Sequence, residues 1–332
     1  MRTVLILNPT SGILTVTEKH MTAEDTEKAI LLGLQASGIE PELYHTTPED
    51  AGKGLAKQAA AEHVELVIAA GGDGTIHAVA NGLIGTQSTL GIIPTGTMNN
   101  LAHSLNIPDT IPAACEAIAR GETRLIDVGK INEQVFLEVA GVGLEAALFP
   151  AAEEIKKPGL LSTLHGLVSS LKTLLNFKPT RIRITFDNRQ RRPYEALQVT
   201  ICNAPFYGMH LEVVPDIVMD DGLLDVVVYR NFSKLEYLRH AISISQGRHT
   251  YQPKIVHRRV KSLRINSDQP LDIQVDGVLQ GTTPAEVTIL PGALRVLVPG
   301  VTAPGLHANE REVETSTPLQ ISKAKQYTQG RD

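Results

Sequence analysis

A parallel α/β sheet followed by an antiparallel β-sandwich is the fold class that this sequence of 332 residues predicts. Two observations carry it. As far as Gly121, continuous apolar runs alternate with stretches of helical spacing, the order of a parallel sheet with helices on both faces. Beyond Gly121 the apolar runs are short and alternating, with polar or glycine turns between them, as in antiparallel strands covered on one face.

The elements follow in order. "TVLILNP" (Thr3–Pro9) is apolar enough for a strand buried on both faces. Thr22, with Asp25 three positions on, caps a helix that Gly38 stops. "IEPELYHT" is the second strand, Pro48 to Glu62 the second helix, and "ELVIAA" the third strand. Thr75 to Leu83 is helical, "TLGIIP" (Thr89–Pro94) is the fourth strand, and "TMNNLAHSL" and "IPAACEAIAR" are helical. The connections make this half Rossmann-like. In the second half, "RLIDVGKINEQVFLEVAGVG" reads as strand, tight turn at Asn132-Glu133, and strand. "TRIRITFDN", "YEALQVTICNA", "LLDVVVYR", "VKSLRIN", "LDIQVDG", "AEVTIL" and "LRVLVP" follow as separate strands. Two helices interrupt them, Gly159 to Asn176 and Lys234 to His249. The expected domains are residues 1–122 and 123–301, with the last strand a candidate to return to the first domain; residues 302–332, polar and without apolar period, are expected to be a mostly disordered tail.

Composition narrows the function classes. A formal net charge of −5 disfavours a nucleic-acid partner. Cys115 and Cys202 lack metal or redox spacing and read as reduced core thiols, which points to the cytoplasm. No apolar stretch reaches the roughly 18–20 residues of a membrane span, so a membrane would be met from its surface.

The motifs lie at strand ends. "GGDGT", Gly71 to Thr75, turns from the third strand into a helix, and Thr95-Gly96-Thr97 does the same after the fourth. "LNPTSG", Leu7 to Gly12, closes the first strand at the same edge. Glycines there let a ligand approach the main chain, and amides at helix N-termini attract phosphate. Neither the P-loop nor the dinucleotide fingerprint is present. Asp73 is the odd member. A carboxylate beside phosphate is repulsive unless a cation bridges the two or the carboxylate takes a proton, and the simpler alternative is a helix N-cap.

"GGDGTIHAVANGL" with "GIIPTGTMNNLAHSLNIP", then "NAPFYGMHLEVVPDIVMDDGLLDVVVY" and "LDIQVDG", resembles the diacylglycerol kinase catalytic-domain family, which includes bacterial soluble lipid kinases and sphingosine kinases. The first loop alone would also suit NAD kinases and phosphofructokinases. The resemblance spans about Thr3 to Pro299. It implies an ATP- and Mg²⁺-dependent kinase acting on the hydroxyl of diacylglycerol or a related lipid alcohol, peripheral at the inner membrane face; a homodimer is compatible with it. It places Asn8, Thr46, Gly71, Gly72, Asp73, Gly74 and Thr75, with Gly96, Thr97 and Asn99, at the nucleotide, and a structural Mg²⁺ on Asp221 with the carbonyls of Val218 and Leu223.

Three positions depart from the family pattern. Thr-x-Asn-Glu reads Thr75-Ile76-His77-Ala78, Asn-Asp reads Asn99-Asn100, and Asp-Gly-Glu reads Asp276-Gly277-Val278. Each change removes a carboxylate, the last being the proton acceptor assigned in bacterial members. Asp73 and Asp276 remain as the catalytic candidates. A second function class stays open: a catalytically weak homologue that senses nucleotide or lipid. For the membrane, Leu160, Leu164, Leu167, Leu171 and Leu174 form a stripe at helical spacing, which could face acyl chains or pack on the sandwich. "HRRVKSLR", His257 to Arg264, could meet anionic headgroups or guard an edge strand. His77, His103 and His210 read as polar rim residues.

Overall fold

Five residues, Thr3–Leu7, form strand β1, and all five are buried. The reason is β1's position inside a parallel sheet. The chain continues through α1 (Ala23–Ala36), β2 (Glu42–His45), α2 (Lys53–Ala61), β3 (Leu66–Gly71), α3 (Asp73–Leu83), β4 (Thr89–Pro94), α4 (Asn100–Ser104) and α5 (Ile111–Arg120). β1 pairs in parallel with β2 and β3, and β3 with β4. Leu5, Leu7, Leu66, Ile68 and Ile93 face α1 and α5, whereas Val4, Ile6, Val67, Ala69 and Ile92 face α2, α3 and α4. This is the doubly covered parallel sheet expected from continuous apolar strands. The computed structural model describes residues 2–10, 22–148, 160–188, 192–208, 210–245 and 254–300. The tail expected at residues 302–332 lies outside the described residues, as do Ser11 and Gly12 of the first loop.

Local chemistry sets the helix starts. Thr22 Oγ1 accepts the Asp25 N–H at 3.1 Å and the Asp25 carboxylate accepts the Thr22 N–H at 3.2 Å, the reciprocal box expected there. α2 starts later than expected, at Lys53 rather than Pro48. The Asp50 carboxylate accepts the amides of Gly52, Gly54 and Leu55, so the preceding residues form a capping turn instead of a helical one.

The second half comprises β5 (Glu122–Ile131), β6 (Gln134–Phe136), β7 (Val139–Gly143), α6 (Leu160–Asn176), β8 (Thr180–Phe186), β9 (Arg192–Cys202), β10 (Phe206–Tyr207), β11 (Leu211–Glu212), β12 (Leu224–Arg230), α7 (Lys234–Ser245), β13 (Ile255–Val260), β14 (Ser262–Ser267), β15 (Asp272–Val275), β16 (Val278–Thr282) and β17 (Ala285–Val298). Its strands are antiparallel, and their inward residues, among them Phe136, Ile182, Val199, Val226 and Ile273, form a separate sandwich core. Residues 246–249 of the second expected helix are outside the described residues.

β17 joins the two halves. It was expected as two strands and is one, antiparallel to β14 and β5 and parallel to β4 at Arg295 and Val296. It is bent, not broken, between Leu290 and Leu294, where Gly292 has φ +56°. Asp127 of β5, 2% exposed, pins that bend: its carboxylate accepts the Gly292 N–H at 2.8 Å and the Gly222 N–H at 2.6 Å. Asp127→Ala should leave both amides unmatched and lower stability by about 3 kcal/mol, read from the urea midpoint.

The surface segments divide. His257 hydrogen-bonds Asp225, and Arg259 and Arg264 pair with Asp221 and Glu286. Among the described residues β13 pairs only with β12, which fits the guarded-edge alternative. In α6, Leu174 is buried against Leu144, Leu197 and Tyr229, while Val168, Leu171 and Leu175 are exposed. The side chains of Leu160, Leu164 and Leu167 lie outside the described residues. Among the described residues, no helix is long and apolar enough to cross a membrane.

Candidate active site

The carboxyl ends of β1, β3 and β4 bring their loops together, as neighbouring parallel strands must. Asn8, just past β1, donates from Nδ2 to Thr75 Oγ1 at 3.0 Å. The Thr95 N–H donates to the Gly71 carbonyl at 2.9 Å. Asn99 folds the second loop on itself, accepting the Gly96 N–H at 3.0 Å and donating to the Gly96 carbonyl at 2.9 Å. Thr46 lies at the same edge, its N–H on the Leu7 carbonyl at 2.9 Å.

The glycines serve two different needs. A Cβ on Gly96 would lie 2.5 Å from the Gly72 Cα, so these two are glycines because the loops touch backbone to backbone. A Cβ on Gly74 would meet nothing within 4 Å. Gly74 and Thr97 are exposed, whereas Thr75 is buried and fixed by Asn8.

Asp73 ties the loops together. Its own helix is capped by Gly72, and Asp73 is the first helical residue. Its Oδ2 accepts the Asn99 N–H at 3.0 Å and its Oδ1 the Asn100 N–H at 2.7 Å. α4 has no side-chain cap of its own, and Asn99 there has φ +52°. Asp73 therefore acts as an N-cap, but for the neighbouring helix.

A second cluster lies beside it. The sequence suggests one strand after the Asn132-Glu133 turn; the structure has two, β6 and β7, interrupted at Leu137 and Glu138. Asp276 causes the break, its carboxylate accepting the amides of Leu137, Glu138 and Val139 at 2.8, 3.0 and 2.9 Å. Freed from the ladder, Glu138 carries its side chain to His77 of α3, with Oε1 2.8 Å from Nε2. His77 Nδ1 lies 3.7 Å from Asp276 Oδ2. One ligand atom each from Asp73, His77 and Glu138 falls within 4.8 Å of the others. Burial raises the Glu138 carboxyl to about 7 against the opposing pull of His77. Burial alone would lower the His77 pKa, but the carboxylates of Glu138 and Asp276 outweigh it and push it up to about 9.

Sequence reasoning did not single out Glu138, and it left His77 on the rim. The available signal was a glutamate inside the apolar run "VFLEVAGVG", which burial makes costly unless it is paired. Both oxygens of Asp73 and of Asp276, the two catalytic candidates from the sequence, accept main-chain amides, so each carboxylate also holds a loop or strand in place. His103 packs edge-on to Phe206 at 4.6 Å and beside His210 at 4.8 Å, seating the short β10–β11 hairpin on α4. Asp221 lies in the turn before β12, with Oδ1 on the Leu223 N–H at 2.9 Å and Oδ2 on Arg259. One carboxylate and main-chain carbonyls suit Mg²⁺ by type; a cation on Asp221 would displace Arg259.

Residues 2–131 match the diacylglycerol kinase catalytic domain, and residues 138–298 match the YegS C-terminal NAD kinase beta sandwich-like domain. The diacylglycerol kinase of Bacillus subtilis (strain 168) is 30% identical over 303 residues, 90% of this chain and 96% of that protein. The chain belongs to the diacylglycerol kinase family. The Staphylococcus aureus (strain JH9) diacylglycerol kinase is also 30% identical, over 90% of this chain and 92% of that one. A crystal structure of a putative diacylglycerol kinase from Bacillus anthracis str. Sterne superposes with a TM-score of 0.73 at 28% identity, covering 90% of this chain and 97% of that one. Membership makes the chain a lipid kinase. Of its departures from the family pattern, Val278 is 56% exposed, and Asn100 is buried with Nδ2 on the Gly208 carbonyl and Oδ1 unmatched among the described residues.

Proposed function

We propose that this kinase transfers the γ-phosphate of ATP to the hydroxyl of diacylglycerol or a related lipid alcohol. The observation that carries it is the Asp73 clamp, which holds two glycine loops at the sheet edge while leaving Gly74 open. In this reading Asn8, Thr46, Gly71, Gly72, Thr75, Gly96, Thr97 and Asn99 surround the nucleotide, and residues 1–122 form the nucleotide domain. Residues 123–301 carry the lipid. Phosphoryl transfer asks mainly for positioning and charge neutralisation, so rigid loops are the chief contribution. Asp73 and Asp276 act by holding those loops and the Glu138 strand break. Mg²⁺ bound with the triphosphate would supply charge neutralisation, and Asp221 with the carbonyls of Val218 and Leu223 would hold a second, structural Mg²⁺ in competition with Arg259.

The lipid is met at the membrane surface. α6 exposes Val168, Leu171 and Leu175, and α7 exposes Leu235, Leu238 and Ile242, each set at i, i+3 and i+7. Lys234 of α7 donates to the Leu175 carbonyl, which brings the two stripes together. They are suited to acyl chains at the boundary of the cytoplasmic leaflet.

The test is a purified-protein assay with radiolabelled ATP, Mg²⁺ and vesicles containing diacylglycerol or other lipid alcohols. Labelled phospholipid is expected. ATP binding without any labelled lipid would replace the kinase reading with a nucleotide sensor.

A further inference from the structure

Transfer to a hydroxyl requires a place for its proton, and Val278 cannot take one. Beside the glycine loops the described carboxylates are Asp73, Asp276 and Glu138. The first two are engaged by the main chain. Glu138 is different: its side chain is 5% exposed, its Oε1 meets His77, and no described residue donates to Oε2. The main chain at this position is held on both sides, with the N–H on Asp276 at 3.0 Å and the carbonyl accepting the Asn203 N–H at 2.8 Å. A carboxylate oxygen thus lies beside the Asp73 loop and has no hydrogen-bond partner among the described residues.

Resting on the kinase reading above, we propose that Glu138 is the proton acceptor of the reaction, with His77 as its positioning residue. The lipid hydroxyl oxygen forms the bond to the γ-phosphorus, and the bond from that phosphorus to the β,γ-bridging oxygen breaks. ADP leaves with that electron pair, and the hydroxyl proton passes to Glu138 Oε2 and then to solvent. His77 holds Oε1 and offsets the negative charge of Glu138, Asp276 and Asp73, the groups that face it. Burial raises this carboxyl above the usual carboxylate range, toward what a general base at neutral pH requires.

Glu138→Gln, His77→Gln and the parent protein are compared for kcat, KM for ATP, binding of a non-hydrolysable ATP analogue, and pH–rate profile. Glu138→Gln should lose about 10²–10⁴-fold in kcat, keep analogue binding within about twofold, and lose the parent's acid limb. His77→Gln removes the cation that favours the Glu138 carboxylate, so its acid limb should move to higher pH. A purely structural role would lower kcat and binding together and leave the limb in place. Parental kcat in Glu138→Gln, or an unmoved limb in His77→Gln, would overturn the inference. A parent protein that transfers phosphate while Glu138→Gln does the same defeats only this assignment. A parent protein that makes no product defeats the kinase reading itself.

Discussion

Asp73→Asn should lower kcat/KM for phospholipid formation by about 10²-fold or more. The variant keeps the size of the side chain but presents an NH₂ where one oxygen now accepts an amide. One of the two bonds to Asn99 and Asn100 is lost, and donor faces donor. Hydrogen bonds to a charged group contribute about 1.5–3 kcal/mol each, enough to let the second glycine loop drift from the first. A displacement of about 1 Å is sufficient for the rate loss, because positioning is most of what the protein supplies. The measurement is initial velocity against ATP concentration with radiolabelled ATP. Parental kcat/KM in the variant would show that the clamp does not organise the reaction. The effect should also exceed that of losing Asp127, whose pin lies at the β17 bend rather than between the glycine loops.

How much of this was legible in the sequence depends on the range of the interactions. β4 falls at Thr89–Pro94 as expected, because a buried parallel strand declares itself by an unbroken apolar run between punctuating residues. The Thr22–Asp25 box was legible because both partners lie within one turn. The misses are long-range. Nothing near Glu138 announces that Asp276, 138 residues on, will take its amide and split the strand. Nothing near Pro291 and Gly292 shows that Asp127 will hold a bent strand together where two strands were expected. Asp50 is an intermediate case: its capping role is local, but the helical spacing of Leu55, Gln58 and Ala59 after it carried the expected helix back to Pro48. The glycine loops were placed correctly at one edge, yet the need for glycine at two of their positions comes from each other. Only the fold reveals that Gly72 and Gly96 are in contact.

That division gives a paired prediction. Gly96→Ala puts a Cβ 2.5 Å from the Gly72 Cα and 2.8 Å from Asn99 Oδ1. The first neighbour is backbone and cannot rotate away, so the loops must separate. Such overpacking costs about 1–3 kcal/mol, and the separation should remove about 10²-fold of activity. Gly74→Ala should behave in the opposite way. Its Cβ meets nothing within 4 Å, and Gly74 sits in the first turn of α3, where alanine is the better helix former by up to about 1 kcal/mol. Its Tm should equal or exceed the parent's. If a triphosphate approaches the α3 amides, the added methyl occupies its path, and the KM for ATP should rise with the fold intact. Thermal melts and ATP titrations of the two variants separate the cases: Gly96→Ala loses stability and rate together, and Gly74→Ala loses nucleotide affinity alone. A Gly74→Ala protein with the parental KM would place the phosphates away from the first glycine loop, and Gly74 would then be an ordinary exposed helix-start residue.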